Sequence, residues 1–311
     1  MSSLPLLTII TVLPVIGAAI ALFTGRHSRA VAQVTGIFCL LLSLLIWMQL
    51  PKDGSIGLQE LHQWVPSLGV QYHLGVDGLG ALMLILSALV SLMSIDAAHR
   101  VRHEPGLFFA LLLLLEAGLF GTFTALNFFH WFIFWELSLI PAFFLIKLWG
   151  GPKRGPAATQ FFVYTMAGSV ALLLSFLAVF HATRSMDFIK LAEMASNGSL
   201  ERQVLASLGP VMMWLAVGVL AGFAVKVPLA PFHTWLPAAY SEAPSPVTML
   251  LTGGMSKMGV YGLLRIALPL FGPQIAAIRT PLLALAVLTV VMGAWAAAAQ
   301  KDLKRVFAYS W

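Results

Sequence analysis

Polar residues along this chain are so sparse that they punctuate long apolar runs. The runs lie close to 20 residues, roughly what a helix rising 1.5 Å per residue needs to cross a hydrocarbon core of about 30 Å. They do not alternate apolar with polar positions, as the strands of a membrane barrel would. Helices also satisfy every backbone group internally, which lipid requires. The pattern predicts nine spans, at about 4–24, 31–50, 77–97, 107–125, 128–149, 157–182, 208–236, 246–270 and 280–300, with a tenth starting near Val306. The expected fold is all-α, a polytopic membrane protein within a single membrane domain. The longest connections, 51–76 and 183–207, read as loops, and RSMDFIKLAEMASNGSLERQ in the second has room for a short surface helix. No soluble domain or low-complexity linker interrupts the pattern.

Composition agrees. Of 311 residues, 59% are hydrophobic and only 10% charged, against about 25% charged in soluble domains. The net charge of +6 matters through its placement. Arg26, Arg29, Arg100, Arg102, Lys153, Arg154, Lys301, Lys304 and Arg305 share one set of alternate loops, nine against the five (Lys52, Arg184, Lys190, Arg202, Arg279) of the other set. The positive-inside rule then puts the N-terminus on the non-cytoplasmic side and the Arg26 loop in the cytoplasm. This basic balance is topological and does not read as nucleic-acid binding. The first run lacks a positive leader and its basic residues follow it, so it reads as a retained helix rather than a signal peptide. Cys39 is the sole cysteine, which excludes disulfides and cysteine-ligated clusters within the chain. No phosphate-binding glycine loop occurs. The expectation is no cofactor and no metal bound by this chain, with redox chemistry carried by partner subunits.

Three charged side chains, Glu136, Lys226 and Lys257, sit in the middle of long apolar runs. A charge at the bilayer centre costs roughly 2.5–3.5 kcal/mol on insertion scales, and such residues mark ion or proton paths. Depth supports this. Glu116 lies eleven residues before the turn at Asn127 and Glu136 nine after it, so both carboxylates stand about 14–17 Å from the turn, near the midplane. With the next connection centred on Glu242, Lys226 and Lys257 are sixteen and fifteen residues away, again at similar depth. Immediately after Lys226, KVPLAPFHTWLP sets Pro228, Pro231 and Pro237 in the span. Proline removes a helical hydrogen bond and clashes with the preceding turn, so the helix breaks there. A broken helix at membrane depth is tolerated where it is buried in protein or lines a wet cavity.

Each of these residues has a plainer reading. Lys226 and Lys257 are too deep to snorkel, and Glu136 as a salt-bridge partner is compatible with a transport role. Glu116 also reads as a neutral, hydrogen-bonded core acid, and His233, just beyond the break, as an interfacial histidine. His130 and His181 read as interface residues, and the tryptophans as belts and packing. Arg265, Lys147 and Asp96 sit near span ends, where a structural role suffices.

FHWFIFWELSLIPAFFLIKLWGG, FFVYTMAGS, GFAVKVPLAPFHTWLP, SEAPSPVTMLLTGG and SKMGVYGLLRI, in that order, resemble the antiporter-like subunits of respiratory complex I, the proton-pumping NADH:quinone oxidoreductase. Within that group the chain is most similar to subunit M, the counterpart of mitochondrial chain 4, over about residues 75–310. The resemblance implies that Glu136 is the helix-5 glutamate, Lys226 the broken-helix lysine and Lys257 the helix-8 lysine of a proton relay. Glu116 and His233 are additional candidates for the path. It divides the chain into helices 1–3 over 1–106, an antiporter-like five-helix repeat over 107–270, and the start of a second repeat over 271–311. Where the family usually has WLPDAH, this chain has Ala238, Ala239 and Tyr240 after Trp235-Leu236-Pro237, so an acid and a histidine are replaced.

The family has about fourteen helices, so the sequence reads as truncated after the ninth, with the second repeat's exit group lacking. The implied activity is proton translocation driven by NADH oxidation coupled to quinone reduction. NADH, flavin, iron–sulfur clusters and quinone are expected on partner subunits. The expected partners are neighbouring membrane-arm subunits, the lipid bilayer and protons. The alternatives are a subunit of a multi-subunit Na+/H+ antiporter or membrane hydrogenase, and a non-functional fragment.

Overall fold

The computed structural model describes residues 4–65 and 70–310. Residues 66–69 of the 51–76 connection, and Trp311 of the closing segment, lie outside the described residues. Eight helices among the described residues are long and apolar enough to cross a membrane, or nine if one bent pair counts as a single span. The chain is a multi-pass membrane protein. It divides into two compact units, Met1–Leu148 with Pro244–Met258, and Trp149–Ala243 with Gly259–Trp311.

The first unit holds α1 (Leu6–Phe23), α2 (Ser28–Met48), α3 (Gly78–Ala97), α4 (Pro105–Thr124) and α5 (Phe128–Trp149). It also takes the opening part of α11, the long helix Ser245–Ala277. Its core is α4, with 89% of its apolar window buried, because α1, α2 and α3 all pack against it. The 51–76 connection is no simple loop. It forms an antiparallel pair, β1 (Gly57–Val65) and β2 (Val70–Val76), with Leu61 opposite His73 and His62 opposite Tyr72. The all-helical expectation holds for the spans and missed this hairpin, because β1 mixes Gln, Glu and His with only scattered apolar positions.

The hairpin has a structural task. Pro5, the residue before α1, supplies no side-chain cap. Glu60 on β1 supplies it instead, accepting the backbone N–H groups of Leu7 at 2.8 Å and Thr8 at 3.1 Å and the Thr8 hydroxyl. A carboxylate at a helix N-terminus satisfies orphan donors and meets the positive end of the helix dipole. On the same side, Tyr72 shares a 2.7 Å hydrogen bond with Thr8.

The second unit comprises α6 (Arg154–Thr183), α7 (Phe188–Ser196), α8 (Ser199–Leu208), α9 (Met212–Lys226), α10 (Trp235–Glu242), the remainder of α11, α12 (Arg279–Ala298) and α13 (Leu303–Tyr309). The 183–207 connection thus carries two short helices rather than one. α8 and α9 meet at 106°. α9 lies tightly on α6: a Cβ added at Gly222 would sit 2.8 Å from the Gly168 carbonyl, and one at Gly218 would sit 2.2 Å from the Ser175 hydroxyl. Small residues four apart permit this close approach where helices cannot rely on hydrophobic exclusion from lipid. The start of α6 is pinned by Glu242, whose carboxylate accepts Lys153 N–H at 2.9 Å and whose carbonyl accepts Gly151 N–H at 2.8 Å. The predicted span at 208–236 is therefore two helices, α9 and α10, separated by residues 227–234.

Candidate functional site

In the first unit the acidic candidates stand on α4 and α5. Asn127 starts α5 by accepting Phe129 N–H at 3.1 Å, and Leu126 N–H donates to the His73 carbonyl at 2.9 Å, so the hairpin braces this turn. The helices then run together almost backbone on backbone. A Cβ at Gly118 would lie 2.8 Å from the Ser138 nitrogen, and one at Gly121 would enter the Phe134 ring. With Gly118 level with Ser138 in an antiparallel pair, Glu116 and Glu136 differ in height by about 6 Å, a little over one helical turn. Glu116 is fully buried, and neither of its carboxylate oxygens has a hydrogen-bond partner among the described residues. Glu136 is half-buried.

Lys257, half-buried, lies on the part of α11 that belongs to the same unit. There α11 packs between α3 and α4. Ser94 donates to the Pro246 carbonyl, Gly253 faces Val90, and a Cβ at Gly254 would be 2.5 Å from Leu119 Cδ1. α11 is not a regular helix. Two π-helical segments, Leu251–Met255 and Leu263–Ala267, flank the turn that carries Lys257. Such segments widen a helix locally and recur at functional sites. The sequence pattern, which reads a single regular span at 246–270, did not anticipate them.

In the second unit Lys226 is the last residue of α9 and is 3% exposed. A Cβ at Gly259 would lie 3.2 Å from Lys226 Cβ and 2.8 Å from Val227, so the glycine admits α11 against the lysine's own backbone. The chain then leaves the helix as the prolines require. Its freed backbone groups find local partners. Leu229 N–H reaches back to Ala224 O at 2.9 Å, the Trp235 indole donates to Val225 O at 3.0 Å, and Ala230 N–H donates to the Thr289 hydroxyl on α12 at 3.0 Å. His233 lies beyond the break, half-buried, its Nδ1 enclosed without a hydrogen-bond partner among the described residues. It lines a cavity of about 370 Å³ with Pro228, Pro237, Thr289 and Tyr309, room for many waters beside the break.

Several residues differ from their sequence reading. His130, near the start of α5, is enclosed by protein: it is 5% exposed, with Tyr72, Phe134 and Trp64 at ring-centroid distances of 4.7, 4.9 and 6.1 Å. The unforeseen hairpin supplies two of those three rings. Thr289 and Trp235 hold the broken helix, and only the need to satisfy a freed backbone points to them. Ser87 and Ser91 on α3 are buried without hydrogen-bond partners among the described residues, and their four-residue spacing was the available signal. Asp96 has the structural role its position suggested, pairing with Arg29 at 2.8 Å. Among the described residues no three His, Cys, Asp or Glu side chains converge as a metal site.

The family described as NADH:quinone oxidoreductase/Mrp antiporter, TM, matches residues 125–311, more than half of the chain. The chain belongs to that family. It is 37% identical to NAD(P)H-quinone oxidoreductase chain 4 of a Synechococcus species, over 98% of this chain and 57% of the relative. It superposes with a TM-score of 0.83 and 30% identity on a chain of respiratory complex I from Thermus thermophilus with bound NADH, covering 97% of this chain and 61% of that one. A chain of the Mrp complex from a Dietzia species gives a TM-score of 0.80 at 26% identity, covering 97% of this chain and 32% of that one. The chain thus spans a little over half the length of the curated relative it matches.

Proposed function

We propose that the chain is a proton-translocating membrane-arm subunit of an NADH:quinone oxidoreductase, relaying protons through Glu136, Lys226 and Lys257, with Glu116 and His233 as further members of the path. The observation that carries the reading is Lys226, a buried lysine at the end of a helix broken by prolines beside a cavity. An ionisable group is expensive at this position unless it is used. In a dry site a charged lysine is held by a nearby carboxylate, and it releases its proton more readily once that carboxylate is withdrawn or compensated. Glu136 serves as the modulating acid, Lys226 as the pumping lysine and Lys257, between its two π segments, as the relay lysine. Water in the His233 cavity supplies the way in. Ala238 and Tyr240, standing where the family usually has an acid and a histidine, leave His233 and Tyr309 as the titratable side chains lining that entrance.

NADH, flavin, iron–sulfur clusters and quinone belong to partner subunits in this reading, and neighbouring membrane-arm subunits complete the path. The N-terminus lies on the non-cytoplasmic side of the plasma membrane, as the loop charges favour. Lys226→Ala in the assembled complex is expected to abolish proton translocation while electron transfer to artificial acceptors continues. Undiminished translocation in that variant sinks the assignment. A second reading, a subunit of a cation/proton antiporter without redox partners, is favoured by the likeness to the Mrp chain. Co-purification separates the two, NADH-oxidising subunits supporting the first and small membrane subunits alone supporting the second.

A further inference from the structure

Ser87, Ser91 and Ser94 stand four and three residues apart on α3, so they line one face of it, and all three are buried. Buried helical hydroxyls ordinarily donate to a carbonyl one turn back. Thr122 and Thr124 on α4 do so at 2.8 and 2.9 Å, and Ser94 donates to the Pro246 carbonyl. Ser87 and Ser91 do neither, and their hydroxyls meet no hydrogen-bond partner among the described residues. Ser91 lies beside Glu116, close enough to act on its carboxyl group yet outside hydrogen-bond geometry. Both oxygens of Glu116 are unsatisfied in the same way.

An unsatisfied buried polar atom costs about 1–3 kcal/mol. Unsatisfied acid and hydroxyl oxygens gathered on facing helices are what a buried water satisfies, since such a water takes two to four polar partners. The Glu116 carboxyl group in turn acts on the buried Cys39 thiol of α2. Glu136 on α5 stands about one helical turn away in height, and α11 brings Lys257 into the same unit.

We propose that Glu116, Ser91 and Ser87 hold a small cluster of ordered water, and that Glu116 exchanges its proton through that cluster. Each oxygen in the chain takes one proton and passes on another, so no net charge enters the core. The N-terminal helices then do more than cover the repeat, since α3 contributes a hydroxyl branch to the path. The inference rests on the proton reading for its use, whereas the hydration itself is measurable without pumping.

The test is infrared difference spectroscopy on the whole assembly in lipid nanodiscs, with the Glu116 carboxylic C=O band assigned by its loss in Glu116→Gln. Ser91→Ala is expected to shift that band and slow its hydrogen–deuterium exchange about tenfold, the weight of one lost hydrogen bond to a charged or ionisable group. Ser91→Thr keeps the hydroxyl and is expected to restore both, and Ser87→Ala is expected to slow exchange less. An unchanged band and exchange rate in Ser91→Ala overturns the proposal, as does a band that follows sodium concentration instead of pH. Should Ser91→Ala fail to assemble, heavy-oxygen water in the unmodified complex must shift a bound-water O–H stretch that vanishes in Glu116→Gln; no such stretch also overturns it. Continued pumping by Lys226→Ala defeats the relay and leaves this outcome untouched, so the two readings fail separately.

Discussion

The two units solve the problem of a polar group in lipid in opposite ways. In the first, α4 and α5 remain unbroken, and glycines at 118 and 121 draw the helices together around the buried Glu116. In the second, α9 stops at Lys226, and its loose backbone groups are gathered by Thr289 and Trp235 beside a cavity. The acid is enclosed by regular structure and the base is served by irregular structure. In the proposed relay the contrast follows from how each group meets water. An acid that exchanges through a few ordered waters needs a fixed place, whereas a lysine that gives and takes protons needs a wet cavity close by.

The largest expected effect comes from Lys226. Its replacement by alanine should remove translocation altogether, while Glu136→Gln, which keeps shape and hydrogen bonding, should leave a slow residual rate about 10²-fold down, the usual weight of a positioned acid–base partner. Proton uptake in proteoliposomes against electron transfer in the same sample measures both. Equal losses in the two variants would erase the distinction between modulating acid and pumping base. Next comes Gly118→Leu. A Cβ there already meets the Ser138 backbone at 2.8 Å, and backbone cannot yield as a side chain can, so destabilisation of about 3 kcal/mol is expected. The fall in thermal midpoint of the purified assembly checks it, and an unchanged midpoint would mean the helices separate easily. Smaller again is Thr289→Val, which keeps the shape but orphans Ala230 N–H. Backbone hydrogen exchange across 228–234 should quicken about fivefold, with the α4–α5 pair unaffected.

The spans, the charged residues within them and the helix break were legible because each rests on a strong local rule: hydrophobic length, the cost of a buried charge, and proline's missing N–H. Element ends agree within a few residues for most spans. The β1–β2 hairpin was not legible, since HQWVPSLGVQYHL has no clean alternation and its pairing is decided by docking on α1 and the turn before α5. The burial of His130 was not legible for the same reason, because the rings that enclose it come largely from that hairpin. The π segments of α11 lie in Gly-rich and Leu-rich stretches that any helix register accommodates, so packing and not sequence selects them. The four-residue spacing of Ser87 and Ser91 is readable in the sequence, but only the packing of α3 shows that both are buried and that Ser91 lies beside an unsatisfied acid.

The smallest effect sharpens the contrast at the edge of the first unit, where an acid is again held by regular structure, this time outside the spans. Glu60 caps α1, and Tyr72 shares its hydrogen bond with Thr8 at the same place. Burial pushes the Tyr72 phenol above its ordinary value of 10.0, the nearby Glu60 carboxylate adds to the rise, and the Thr8 hydrogen bond opposes it. The fold therefore holds the phenol proton more tightly than the unfolded chain does. Stability from this source is fully present below pH 10 and is lost as pH climbs through the raised value. Tyr72→Phe removes the titration while keeping the ring against His130, so its thermal midpoint should fall less steeply than that of the unmodified protein above pH 10. Below that pH the variant should lie slightly lower, by the loss of one shared hydrogen bond. Parallel curves across the whole range would show that the hairpin does not feel the phenol's charge, and that the Glu60 cap alone fixes β1 to α1.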